Sequence, residues 1–234
     1  MMGADSPSNI CALVPMNRLG AAKSRLAPRL SGKERACLAK AMLRDVLDVL
    51  LQTRQLAGIA VVTSDATAAT IARVHGASVI DDHDEKTVNG AVRRGLHTLA
   101  AAGYDGALVV PSDIPFLCVH EVEAALSALS RCGVVVVPAS RDGGTNLLGL
   151  APPYAMEPAF GDDSFARHLA IARMAGFEPV TLALEGAGHD IDVPADLWPA
   201  VSTGSAVLTR RLLSQLGLID MPMNSGIIQG ALSS

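Results

Sequence analysis

Aromatic side chains are scarce in this chain, with one Trp, two Tyr and four Phe among 234 residues. A core without large rings must be filled by Ala, Val and Leu. Punctuated by 21 Gly and 13 Pro, that composition fits layered α/β architecture better than an aromatic-rich sandwich. Positive charge is also short, 19 Lys and Arg against 23 Asp and Glu, for a net charge of -4. That balance excludes an extended nucleic-acid surface, which needs clustered cations, but leaves room for a small anion held by a few local ones. The four cysteines, Cys11, Cys37, Cys118 and Cys132, form no CxxC pair. Neither a zinc site nor a disulfide framework is implied, and buried free thiols are the expectation. No apolar run approaches the ~18 residues of a membrane span. Residues 1–9 lack the basic and apolar regions of a signal peptide, so a cytoplasmic protein is expected.

What is present is an alternation of short β-branched runs with longer Ala/Leu-rich stretches. Ile10 to Val14, Ile59 to Thr63, Ser78 to Ile80, Ala107 to Val110 and Val134 to Val137 read as strands. Ser31 and Glu34 form a capping box opening a helix to about Gln52, and Ser64 or Asp65 can cap the next. Thr87 to Ala102 and Val119 to Arg131 continue the βαβα order, which predicts a mostly parallel sheet. Beyond it come a Gly-rich turn (Arg141 to Asn146), an apolar run (Leu147 to Leu150), a Pro-rich loop and a helix near Asp163 to Ala175. A strand around Pro179 to Leu184 and a Pro194-started helix close a single domain over residues 1–202. An amphipathic helix within 203–217 and a mobile tail to residue 234 are expected after it.

In an open α/β sheet, ligands bind beyond the carboxyl ends of the strands, so the loops there carry the chemistry. After the first strand, Pro15 is followed by Arg18, Lys23 and Arg25. Three cations at a strand end suit a polyphosphate, though they would equally make a solvated basic loop. The segment is neither a P-loop nor a GxGxxG. After the fourth strand, Asp113 sits in Pro111-Ser112-Asp113-Ile114-Pro115, where a carboxylate can hold Mg²⁺ against a phosphate or simply cap a turn. Asp190 and Asp192, two apart in an extended segment, face one side, and either can complete a metal site with Asp113.

A third cluster joins the turn at Thr145 to Gly161, Ser164, Arg167 and His168, where Gly-rich backbone and a helix N-terminus offer an anion pocket, though singly Ser164 would serve as a helix cap and His168 as a solvated or core histidine. The acidic run Asp81 to Glu85 has no EF-hand pattern and reads as an exposed loop. Asn89, opening the next helix, is placed to hydrogen-bond a base or ribose. There is no GxSxG and no setting for a nucleophilic cysteine.

Read in order, these segments resemble the 2-phospho-L-lactate guanylyltransferase family of coenzyme F420 biosynthesis. They are the AKSRL loop ending at Leu26, VVTSD (Val61 to Asp65), PSDIP, RDGGTN (Arg141 to Asn146), FGDDSFARH (Phe160 to His168) and DIDVPADL (Asp190 to Leu197). The resemblance spans Ile10 to Val201. It implies a three-layer α/β/α nucleotidyltransferase fold, Rossmann-like and of GT-A type. It also implies condensation of GTP with 2-phospho-L-lactate, phosphoenolpyruvate or 3-phospho-D-glycerate, releasing pyrophosphate. By that resemblance Pro15, Arg18, Lys23, Arg25, Ser64 and Asn89 meet the nucleotide, with Lys23, Arg25 and Asp113 catalytic. Asp113 and one of Asp190 or Asp192 hold Mg²⁺, and Thr145, Gly161 and Ser164 meet the acceptor, with Arg167 and His168 from the residue reading beside them. A homodimer and handover to the next transferase are compatible with it. Three positions depart from the family pattern: Asn17 replaces a lysine, Val88-Asn89 replaces Leu-Asn, and Val193 replaces Thr. Rival readings are a molybdenum-cofactor or sugar-phosphate nucleotidyltransferase, whose LAGG-type signature is lacking, and a non-catalytic nucleotide-binding protein.

Overall fold

The computed structural model describes residues 9–16, 18–19, 23–82, 85, 87–197 and 205–219. In chain order the elements are β1 (Ile10–Pro15), α1 (Gly32–Gln52), β2 (Gly58–Val62), α2 (Ala66–Val74), β3 (Ser78–Ile80), α3 (Val88–Ala101) and β4 (Gly106–Val109). They continue with α4 (Val119–Cys132), β5 (Val134–Pro138), β6 (Thr145–Leu150), α5 (Ser164–Met174), β7 (Val180–Thr181) and α6 (Val207–Gln215). Short 3-10 turns cover Ser24–Leu26 and Pro194–Leu197.

The strands form one seven-stranded sheet in the order β3-β2-β1-β4-β6-β5-β7. All pairings are parallel except those of β6, which runs antiparallel to both β4 and β5. Side chains alternate across the sheet as the pleat requires. Ala12 and Val14 join one core with α1, α2, α4 and α6, while Cys11 and Leu13 join a second core with α3 and α5. The architecture is therefore the three-layer α/β/α sandwich that the alternating pattern predicts.

Local chemistry explains the boundaries. The Ser31–Glu34 capping box forms at the start of α1, and Asp65 rather than Ser64 caps α2 by accepting from the N–H groups of Thr67 and Ala68. Gly133 at φ 75° ends α4 in the left-handed conformation that glycine adopts freely. Three expectations change. Val180–Thr181 is the only strand within Pro179 to Leu184, the Pro194 helix is 3-10 over its described residues Pro194–Leu197, and Cys37 is exposed rather than buried. Within 203–217 the helix is α6, which packs on α1 and sends Leu213 into the core. Residues 221–234 and Asn17 lie outside the described residues. No helix among the described residues is long and apolar enough to cross a membrane.

Candidate active site

β1 lies between β2 and β4, so the chain's crossovers diverge there and open a crevice at the strands' carboxyl ends. A cleft of about 900 Å³ occupies this position. Pro15, Arg18, Lys23, Ser64, Asp113 and Asp192 line it, together with residues of the β3–α3 connection.

Lys23 is the hub. Its side chain is only 9% exposed, and its Nζ lies 2.6 Å from Asp113 Oδ2 and 3.7 Å from Asp192 Oδ1. Burial alone would lower the ammonium pKa, but Asp113, then Asp192 and Asp190, raise it above the usual lysine value. Lys23 is held in the left-handed region at φ 55°, just before the 3-10 turn that carries Arg25. Arg25, largely exposed, donates from Nη1 to Asp192 Oδ2 at 2.8 Å.

The aspartates are fixed by their neighbours. Ile191 N–H donates to the Asp113 carbonyl, joining the loop after β4 to the segment carrying Asp190 and Asp192. Asp196, buried and absent from the sequence-level candidates, accepts from the N–H groups of both Asp192 and Val193. Its place in DIDVPAD, four residues after Asp192 and following a proline, is the available signal for such a turn clamp. Asn146, at the start of β6, donates weakly to Asp190 Oδ1 at 3.4 Å. Burial and the charge of Asp113 raise the Asp190 pKa above the usual carboxylate value.

The group expected to meet the acceptor sits beside this cluster, brought there by β6 entering the sheet from the site end. Thr145 and Ser164 are buried, and Gly161 takes φ 120°, which a side chain would strain. His168, placed by its sequence position at that anion pocket or in the core, takes the core position. It is fully buried, and its Nε2 accepts from the Ala159 N–H, so in the neutral ring Nδ1 carries the proton and donates to Thr145 Oγ1 at 2.9 Å. Burial, then the charge of Arg167, depresses its pKa to about 4.

The helix N-terminus is also less open than expected. The Ser164 and Phe165 N–H groups donate to the carbonyls of Gly161 and Gly143, and Arg167 reaches back to the Asp162 carbonyl. Asn89 is likewise engaged within the protein. Its amide donates to and accepts from the Phe160 backbone, so it fastens that loop to α3. The acidic run expected to be an exposed loop instead buries Asp82 against the cleft.

The description "Guanylyl transferase CofC like" matches residues 10–229. The chain belongs to this family. The match extends past Val201, where the motif resemblance stops, and takes in α6. Similar proteins include the phosphoenolpyruvate guanylyltransferase of Sphaerobacter thermophilus, 39% identical over 80% of this chain and 89% of that protein. The 2-phospho-L-lactate guanylyltransferase of Methanothermobacter thermautotrophicus is 34% identical over 91% and 93%. The 3-phospho-D-glycerate guanylyltransferase of Phenylobacterium zucineum is 36% identical over 83% and 91%. Among solved structures, 4-diphosphocytidyl-2C-methyl-D-erythritol synthase superposes with TM-score 0.59 at 15% identity over 88% of this chain and 99% of that one. A cytidylyltransferase from Leptospira borgpetersenii gives TM-score 0.54 at 14% identity over 94% and 99%. Both mark the fold as that of nucleotidyltransferases.

Proposed function

We propose that this protein transfers the guanylyl group of GTP to the phosphate of a small phosphorylated carboxylic acid, releasing pyrophosphate, as a step of coenzyme F420 biosynthesis. The observation that carries the reading is the buried Lys23 ammonium set among Asp113, Asp190 and Asp192 at the carboxyl ends of β1 and β4. The acceptor is one of phosphoenolpyruvate, 2-phospho-L-lactate and 3-phospho-D-glycerate. Named relatives for all three fall between 34% and 39% identity.

The acceptor needs no general base, because a phosphate monoester with a second pKa of about 6 is already largely a dianion at neutral pH. Catalysis then rests on positioning and charge neutralisation. Lys23, Arg25 and Arg18 offset charge on the triphosphate and the departing pyrophosphate. Thr145, Gly161 and Ser164 hold the acceptor, with His168 orienting the Thr145 hydroxyl by donating to its oxygen, so that the hydroxyl proton is free to meet a phosphate or carboxylate.

The donor set fits Mg²⁺. Among the described residues no three acidic, histidine or cysteine groups are clustered closely enough to hold a metal alone. Mg²⁺ ordinarily takes only one or two carboxylates, completing its shell with water and substrate phosphates. Asp113 and one of Asp190 or Asp192 supply those oxygens, and the mutual repulsion of Asp113 and Asp190 is the kind that a divalent cation relieves. Held by those carboxylates, Mg²⁺ would supply charge stabilisation at the reacting phosphorus.

The deciding experiment is pyrophosphate release from GTP with Mg²⁺ against the three acceptors, with ATP and CTP as nucleotide controls. Release with GTP and one acceptor is expected. Silence across the panel from folded protein would remove the reading.

A further inference from the structure

Asp82 follows β3 and lines the same cleft as Lys23 and Asp113. The residue is only 9% exposed, and its Oδ1 is buried with no hydrogen-bond partner among the described residues. The other acids lining the cleft are engaged. Asp113 and Asp192 hold Lys23. Glu85 lies over the first turn of α3, so near that a Cβ on Gly90 would overlap its carboxylate, and its charge also acts on Arg93. A carboxylate oxygen removed from water without a donor is costly, and such a group in a cleft marks a place where a ligand supplies the donor. An ionised carboxylate accepts only, so the ligand must bring N–H or O–H groups.

The sheet sets the distance. β3 is two strands from β1, about 10 Å at ~4.8 Å per strand. That matches the reach of a nucleoside from its base to its first phosphate. A nucleotide whose phosphates meet Lys23 and Arg18 therefore carries its base toward the β3–α3 connection, where Val88 and Ala91 also line the cleft. Guanine presents two adjacent donors on its pairing edge, N1–H and the N2 amine, whereas adenine and cytosine present a ring acceptor beside their amine.

Resting on the guanylyltransferase reading above, we propose that Asp82 is the guanine-recognising residue, its carboxylate accepting from N1–H and the N2 amine of GTP. The test is equilibrium titration of the full chain with GTP, ITP and ATP in Mg²⁺, for wild type, Asp82→Asn and Asp82→Ala, together with thermal unfolding of the ligand-free proteins. ITP lacks the N2 amine alone. Wild type is expected to favour GTP over ITP by about 10-fold or more. Both variants should lose that preference and bind GTP more weakly, with ATP affinity little changed. Removing an unpartnered buried acceptor should also leave the Asp82→Ala protein melting no lower than wild type, the opposite of what loss of a structural contact gives. Equal wild-type affinity for GTP and ITP, or a preference that survives both substitutions, would overturn the assignment while leaving the guanylyltransferase reading intact. Failure of wild type to bind any guanine nucleotide would overturn both.

Discussion

Lys23 combines left-handed backbone at φ 55° with an ammonium that three carboxylates surround. For a non-glycine residue that conformation costs roughly 1 kcal/mol or more, and it persists here where the chemistry is concentrated. Lys23→Met should lower turnover by at least about 100-fold and reduce stability by about 1–3 kcal/mol, because Asp113 and Asp192 lose their shared cation. Adding Asp113→Asn to Lys23→Met should recover part of that stability without recovering activity, a coupling that urea unfolding of the double-mutant cycle measures. Asp113→Asn alone should abolish most turnover with the fold unchanged by circular dichroism. His168 makes a pH prediction with a definite sign. Its folded pKa of about 4 lies below the ordinary value of 6.5, so the unfolded chain takes the proton first. Its contribution is therefore complete above about pH 6.5 and lost as pH falls toward 4. Asp190 and Asp45, both raised from 3.8, act in the opposite direction at the acid end. Melting curves between pH 7 and 4.5 should show a shallower decline in His168→Gln than in wild type.

At the scale of elements, α6 is tethered through its first turn, where the Leu208 and Thr209 N–H groups donate to the two oxygens of Asp45 on α1. Asp45→Ala should cost about 1–2 kcal/mol, as for loss of a helix cap, read as a lower urea midpoint with an unchanged slope. α3 approaches the sheet closely at Gly95, where a Cβ would come within 2.7 Å of Leu13 and 2.9 Å of Val62. Gly95→Ala should therefore destabilise by about 1–3 kcal/mol through overpacking. These elements also show what a sequence discloses. The Val-rich strands and the Ser31–Glu34 box were legible because their causes are local: β-branched side chains, and a hydroxyl and carboxylate three residues apart. The direction of β6 was not, since a short run such as Leu147 to Leu150 reads the same parallel or antiparallel. Asn89 looked like a ligand group because nothing near it in sequence reveals that its amide meets Phe160, 71 residues away. Asp82 was hidden among neighbouring charges whose solvation is the usual outcome. Lys23, Asp113 and Asp192 were legible as candidates by their place after strands, but their mutual contact is a property of the sheet order.

At the scale of the whole molecule, the described residues 205–219 pack onto the sandwich, with α6 lying on α1. Ser205 Oγ donates to the Phe116 carbonyl, and the Arg210 guanidinium lies 5.0 Å over the Phe116 ring, tying α6 to the loop that follows Asp113. A chain ended at Leu197 should melt at least about 5 °C lower than the full chain in scanning calorimetry. The ion pair between Arg25 and Asp192 spans 167 positions, and β1 meets β4 only after three helices and two strands have been made. Contacts of such long sequence separation form late, after the entropy of closing the intervening loop has been overcome. The charged cluster is therefore among the last features to assemble as the protein emerges from the ribosome. During refolding, helical signal should return before catalytic competence, and a nascent chain stalled just short of Asp192 should carry most of the sheet yet turn over nothing.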